Sequence, residues 1–486
     1  MAEGSVTRAR PAVTFGVLAL GVAAFALLQS LVIPVLTTVQ HQLHTTQAAV
    51  TWVLTAYLLS ASVMTPILGR VGDMAGKKRV FVLTLAALAA GSLLAAVASS
   101  ITVMIIARVI QGVGGGMVPV AFGIIRDEFP VSKVAGAVGA LASLTAVGAG
   151  LGIVIAGPIV DALGYYWLFW LPLILTVAAA VAATILVPES PVRSPGRISW
   201  LPAVLLSAWL VALLVALSQA PSWGWGSSRV MGLLAAAVVL AGAWVAAELR
   251  AATPLIDMKM MRLTAVWTNN LVSLLLGVGM YATFAFLPEF VQTPSAAGYG
   301  FGASITQSGL MLLPSAITMF AVGMVAGRLA RALGGKTLVV TGCLIGSAAM
   351  AMLAFAHQHE WQIYVSNALM GIGFGLAFSA MSALIVVAVP PSQTGVASGM
   401  NANIRTIGGS IGSAVMASIV TSQLAPTGLP REAGYTAGFA VMAAGLVLAA
   451  LAGLLIPAAK RQLSTAGRET APSGSELALA AGAEDG

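Results

Sequence analysis

GRVGDMAGKKRV (residues 69–80) gathers Arg70, Asp73, Lys77, Lys78 and Arg79 in a chain of which only 8% is charged. Apolar runs flank it on both sides, at 49–68 and 80–98. A helix crosses the roughly 30 Å hydrocarbon layer with about 20 residues, so the two runs read as membrane spans. The charged stretch then reads as the polar turn between them. Gly69, Gly72 and Gly76 suit such a turn, because glycine permits both close approach and backbone angles that other residues avoid.

Composition carries the same reading to the whole chain. The 486 residues are 59% hydrophobic with a mean hydropathy of +0.98, whereas soluble domains are about 45–50% apolar and about 25% charged. Fifteen acids and 23 bases cannot cover a soluble surface of this size. The pI near 9.9 raises the question of nucleic acid, but no basic domain or aromatic–basic array accompanies it, so no nucleic-acid partner is expected. The single cysteine, Cys343, rules out disulfides within the chain. No phosphate-binding loop and no nucleophile–base constellation is evident, which argues against an enzyme and against ATP as energy source. His41, His44, His357 and His359 fall in loops, and no carboxylate set completes a metal site around them.

Fourteen runs of spanning length follow one another, giving an all-α integral membrane protein. Its expected parts are an N-terminal segment 1–13, six spans in 14–187, two in 200–248, six in 265–457 and a disordered tail 462–486. With both termini placed in the cytoplasm, only Arg229 and Arg431 of the 23 bases fall outside, while Arg108 and Arg405 lie within the membrane. The positive-inside rule selects that orientation. Sliding the chain on itself by about 260 residues reveals a repeat. GRVGDMAGKK (69–78) aligns with GRLARALGGK (327–336), RVIQGVGGG (108–116) with NALMGIGFG (367–375), and Gly139, Gly148 and Gly152 with Gly399, Gly408 and Gly412. The offset corresponds to eight spans, so two parallel six-helix repeats enclose an inserted pair, an arrangement that lets two halves rock about a central site.

These stretches resemble the major facilitator superfamily, and in particular its fourteen-helix drug:proton antiporter branch. GRVGDMAGKK is similar to that superfamily's signature between helices 2 and 3, and RVIQGVGGG to its fourth-helix signature. WVLTAYLLS (52–60), SWGWGSS (222–228) and PLIDMKMMR (254–262) are also family-like. The resemblance implies a major facilitator fold and export of amphipathic small molecules, such as antibiotics or drug-like metabolites, against protons by alternating access. No cofactor is expected beyond the proton gradient. The expected setting is the plasma membrane of a bacterium, with a small-molecule substrate, protons and the lipid bilayer as partners, and a monomer as the functional unit. Two departures stand out: LLQSLVIP carries Gln29 where the branch has an aspartate, and GIVIAG (152–157) lacks the proline of the fifth-helix signature. A nutrient importer of the same fold and a membrane sensor without transport remain open alternatives.

The candidate site residues fall into three groups. Gly69, Arg70, Gly72, Asp73, Gly76, Lys77 and Lys78 are expected to form a cytoplasmic latch, the resemblance implying that Asp73 holds the two bundles together; a purely topological use of the charges explains the lysines but not the aspartate. Arg108, Gln111, Gln29, Asp161, Glu289, Asn269, Asn270, Asn401 and Arg405 are candidates for the proton or substrate pathway. An arginine at a helix centre costs at least about 2.5–3.5 kcal/mol on insertion scales and so calls for a compensating role. Glu289, then Asp161, are the candidate coupling acids. Gly112, Gly116, Gly148, Gly152, Gly157, Gly408 and Gly412 are expected to pack helices closely.

Overall fold

The computed structural model describes residues 11–32, 35–190, 199–422 and 429–457. Residues 1–10 and the tail 462–486 lie outside the described residues. Among the described residues are fourteen helices long and apolar enough to cross a membrane. The first six are α1 (Pro11–Leu31), α2 (Gln47–Ala75), α3 (Lys77–Ala96), α4 (Ile101–Glu128), α5 (Val131–Leu163) and α6 (Trp167–Leu186). The inserted pair is α7 (Trp200–Trp223) and α8 (Ser228–Arg250). The second six are α9 (Thr264–Gln292), α10 (Ile305–Leu333), α11 (Gly335–Phe355), α12 (Glu360–Ala388), α13 (Thr394–Thr421) and α14 (Glu432–Gly453).

The opening stretch is not the loop expected from its charge. Helix α2 continues through Gly69, Arg70 and Asp73 to Ala75, α3 starts at Lys77, and Gly76 alone makes the turn with φ 112°. Gly334 plays the same part between α10 and α11 with φ 84°, a left-handed conformation that favours glycine. The face that carries these two turns also carries Arg126, Lys133, Arg328 and Arg331 and is called the basic face below. On the opposite face, where the even-numbered helices begin, α2, α4, α8 and α10 are capped by Thr46, Ser100, Ser227 and Ser304, whose hydroxyls accept from free first-turn amides.

The repeat seen in the glycine spacing is a repeat of contacts. Gly148 and Gly152 of α5 lie on Ala26 and Ser30 of α1, and Gly408 and Gly412 of α13 lie on the backbone of Leu274 and Val278 of α9. Likewise Gly112 and Gly116 of α4 meet Ser60 and Leu68 of α2, while Gly371 and Gly375 of α12 meet Ser315 and Met319 of α10. Each pairing uses missing side chains to bring backbones together, the usual basis of helix association where lipid removes the hydrophobic drive. Gly157 is buried in α5.

Helix α7 packs against both α2 and α13, and α8 packs on α7. The outer surface of α8 is apolar and open, with Val238 74% and Val239 70% exposed, as expected of a face turned to lipid. At its end the buried Glu248 accepts from Trp244 Nε1 (3.1 Å) and from the backbone N–H groups of Leu255 (2.9 Å) and Ile256 (3.2 Å). That carboxylate fastens the PLID segment, which leads into α9, to the inserted pair.

Candidate translocation cavity

The two repeats meet at the basic face through glycines and a pair of opposite charges. A Cβ on Gly69 would stand 2.5 Å from the Gly395 carbonyl oxygen, and one on Gly327 would stand 2.5 Å from Gly136 Cα. Thus α2 touches the start of α13, and α10 touches the start of α5, in matching fashion. Asp73 is fully buried and accepts from the N–H groups of Gly395 (3.3 Å) and Val396 (3.1 Å). These belong to the first turn of α13, where amides lack helical partners and the helix dipole favours an anion. Arg126, near the end of α4, donates to the Val386 carbonyl in the last turn of α12 and to Thr394 Oγ1 at 2.9 Å. A cation at a helix C-terminus is the complementary arrangement. One acid and one base of the first bundle therefore grip both sides of the α12–α13 turn.

Other members of the expected latch stay at home. Lys77 is buried and pairs with Asp127 of α4 at 2.6 Å, so it ties α3 to α4 within the first bundle rather than reaching the second. Gly72 packs on Val120, also of α4. Arg79 lies 3.4 Å from Glu189, Lys78 is half-buried on α3, and Arg70 borders a recess shared with Asp257 and Gln393. Arg126 was not among the expected site residues. A base close to the end of a span reads as topology, and its partners lie 260 and 268 residues away.

Beneath this closure lies a cavity of about 90 Å³ between the bundles, bordered by Phe25, Gln29, Tyr57, Ser62, Phe378, Asn403 and Arg405 among others. Both repeats contribute to its wall. A drug-sized molecule needs about 300–1,000 Å³, so one can be housed only when the bundles move apart. Arg405 is half-buried, and its guanidinium stands 4.3 Å from the centre of the Phe378 ring, with the Tyr281 hydroxyl as a hydrogen-bonding neighbour. Asn403 is 1% exposed, and neither of its side-chain polar atoms has a partner among the described residues.

Of the expected pathway residues, only Gln29 and Arg405 border this cavity. Arg108 is fully buried behind Tyr57, its guanidinium 4.3 Å from that ring's centre. It donates to the Val53 carbonyl (3.1 Å) and to Gln111 Oε1 (2.8 Å), and Gln111 in turn donates to Ser92 Oγ (3.3 Å). The pair binds α4 to α2 and α3 instead of facing the pathway. Asn269 and Asn270 do not line a mouth: Asn269 donates to the Met381 carbonyl (2.8 Å), and Asn270 Oδ1 accepts from Asn401 (2.9 Å). These amides, Asn401 included, are buried staples that join α9 to α12 and α13. An amide in an apolar run needs a partner in either case, and the sequence alone does not say whether that partner is a neighbouring helix or a ligand. Asp161 and Glu289 are exposed near the opposite-face ends of α5 and α9, away from the cavity wall. His357 bridges to Glu432 at 2.8 Å and packs edge-on against Phe290. Met280, Met311 and Met319 are buried in the helix packing.

A mostly apolar cavity with an arginine in its wall, inside a lipid-facing bundle and sealed at one face by contacts between two repeats, is suited to binding a small molecule and passing it across. The comparisons with known proteins agree. Residues 18–412 and 270–480 match the family model described as Major Facilitator Superfamily. A multidrug resistance protein B homolog of Mycobacterium tuberculosis is 31% identical over 392 residues, covering 78% of this chain and 70% of that protein. The tetracenomycin C resistance and export protein of Streptomyces glaucescens is 28% identical over 421 residues, covering 86% and 77%. The crystal structure of the human organic anion transporter MFSD10 (TETRAN) superposes with a TM-score of 0.68 at 17% identity, covering 91% of this chain and 99% of that one; at that identity it supports the fold alone.

Proposed function

The chain belongs to the Major Facilitator Superfamily, a family of transport proteins rather than enzymes, and from that premise we propose that it exports amphipathic drug-like molecules by alternating access. The basic face is the cytoplasmic one, both termini lie on that side, and the membrane is the plasma membrane of a bacterium. A proton gradient supplies the energy, and one chain is the working unit. The observation that carries the reading is the gripped α12–α13 turn over a cavity walled by both repeats. With Asp73 and Arg126 engaged, the cytoplasmic side is shut; releasing them lets the bundles part and a substrate enter. Relatives named for multidrug resistance and for tetracenomycin C export support this direction and substrate range.

The test uses inside-out vesicles from bacteria with and without the chain, a panel of drug-like amphipaths and an imposed inside-acid gradient. At least one compound should accumulate only in vesicles that contain the chain and only while the gradient lasts. No accumulation of any compound, or uptake only into right-side-out vesicles, would contradict export.

A further inference from the structure

The charges inside the membrane are of one sign. Every carboxylate on the membrane helices sits towards an end: Asp73, Asp127, Glu128 and Glu248 at the basic face, Asp161, Glu289, Glu360 and Glu432 at the opposite one. Among the described residues, no aspartate or glutamate borders the central cavity. Arg108 and Arg405 do lie within the spans, and the ion pairs found among the described residues, Lys77–Asp127, Arg79–Glu189 and His357–Glu432, include neither. Arg108 is fully buried and does not border the cavity; its Nε and one terminal nitrogen are bonded to Val53 and Gln111, and only its second terminal nitrogen has no partner among the described residues. Arg405 is different: its guanidinium rests on Phe378 beside Tyr281, and all three residues border the cavity.

A guanidinium in surroundings of low dielectric constant gains strongly from an anion and opposes a second cation. Its planar donor fork matches a carboxylate or an acidic oxygen in two parallel hydrogen bonds. Also on the cavity wall are Asn403, with both polar atoms unpartnered among the described residues, and Ser62, 3% exposed with its hydroxyl unpartnered. Gln29 adds hydrogen-bonding capacity without negative charge. On the same two helices as Gln29 and Ser62, the Phe25 and Tyr57 rings also border the cavity. We infer that the transported molecule is an amphipathic organic anion, a flat apolar body bearing a carboxylate or acidic phenol, with its charge on Arg405 and Asn403 and its body against Phe25 and Tyr57. This substrate class rests on the reading of the cavity as the translocation site.

Binding to the purified full chain in detergent tests the class without reference to direction or energy source, so its failure is separable from that of export. The probes are 2-naphthylacetic acid, its methyl ester and 2-(2-naphthyl)ethylamine, three ligands of one shape and different charge, read by thermal stabilisation of the protein. At neutral pH the acid should bind at least about tenfold more tightly than the ester or the amine. Arg405→Gln should lose that tenfold while leaving the ester unchanged, and Arg405→Lys should recover part of it. Equal binding of all three, preference for the amine, or no binding of the acid by the unaltered chain would overturn the assignment, and that comparison needs no variant to fold. Unaltered acid affinity in a folded Arg405→Gln chain would overturn it as well.

Discussion

Asp73 and Lys77 are four residues apart in the most charged stretch of the chain, yet they serve different bonds. The Asp73 carboxylate crosses to the second bundle, where two first-turn amides of α13 receive it. Replacing it with asparagine keeps the shape and removes the charge. A charge at a partly buried helix terminus is worth up to about 2 kcal/mol, and 1–2 kcal/mol is a factor of about 5–30 in an equilibrium. Asp73→Asn should therefore open the basic face by that order, seen as faster labelling of a cysteine placed at Val396, with slower transport at unchanged folded yield. Labelling at the unaltered rate would mean that the carboxylate does not hold the closure. Lys77 instead supports its own bundle. Breaking a buried pair by removing one partner costs about 3–5 kcal/mol, whereas replacing both with apolar residues is often neutral. Lys77→Met should thus lower folded yield sharply, and Lys77→Met with Asp127→Leu should regain most of it; equal loss in both would show that the pair is not the source of the effect.

At the level of helices, the same close contacts are made twice, α5 on α1 and α13 on α9. Overpacking a tight contact costs about 1–3 kcal/mol and sometimes more. Gly152→Leu and Gly412→Leu, which drive a side chain into Ser30 and into the Val278 backbone, should both depress thermal stability. Gly232→Leu on lipid-facing α8, where an added Cβ meets nothing within 4 Å, should leave it unchanged. A comparable drop at Gly232 would mean that the loss comes from the helix itself and not from the contacts. These glycines were legible in the sequence because a contact between backbones leaves a periodic trace, and the trace recurs at one offset. Gly76 and Gly334 were legible for a related reason, since the tightest turns need a residue free to take positive φ. The extent of α2 was not: charge at 70–73 looked like a loop, whereas packing of Gly69 on Gly395 and Gly72 on Val120 keeps the helix going beneath it.

For the molecule as a whole, the number of spans was legible from hydropathy, and the major facilitator fold from the resemblance of the stretches at 69–78 and 108–116 to that superfamily's signatures. The cavity was legible only in part. Gln29 and Arg405 reach it, but Arg108, Asn269, Asn270 and Asn401 spend their polar groups on neighbouring helices, and Asp161 and Glu289 sit near the far ends of theirs. One-dimensional spacing shows that an intramembrane polar group needs a partner; it does not show whether that partner is protein or cargo. The central claim is that the two bundles must separate at the basic face for transport. A Cβ on Gly139 of α5 would lie 3.3 Å from Ser379 Cβ of α12, near the roughly 3.5–4.5 Å that disulfides span. Gly139→Cys with Ser379→Cys, in a chain whose only native cysteine is replaced as Cys343→Ser, therefore places a removable bond between the bundles. Vesicle transport should stop on oxidation and return on reduction, in step with the cross-linked fraction determined by mass spectrometry. Undiminished transport by fully cross-linked protein would contradict the account.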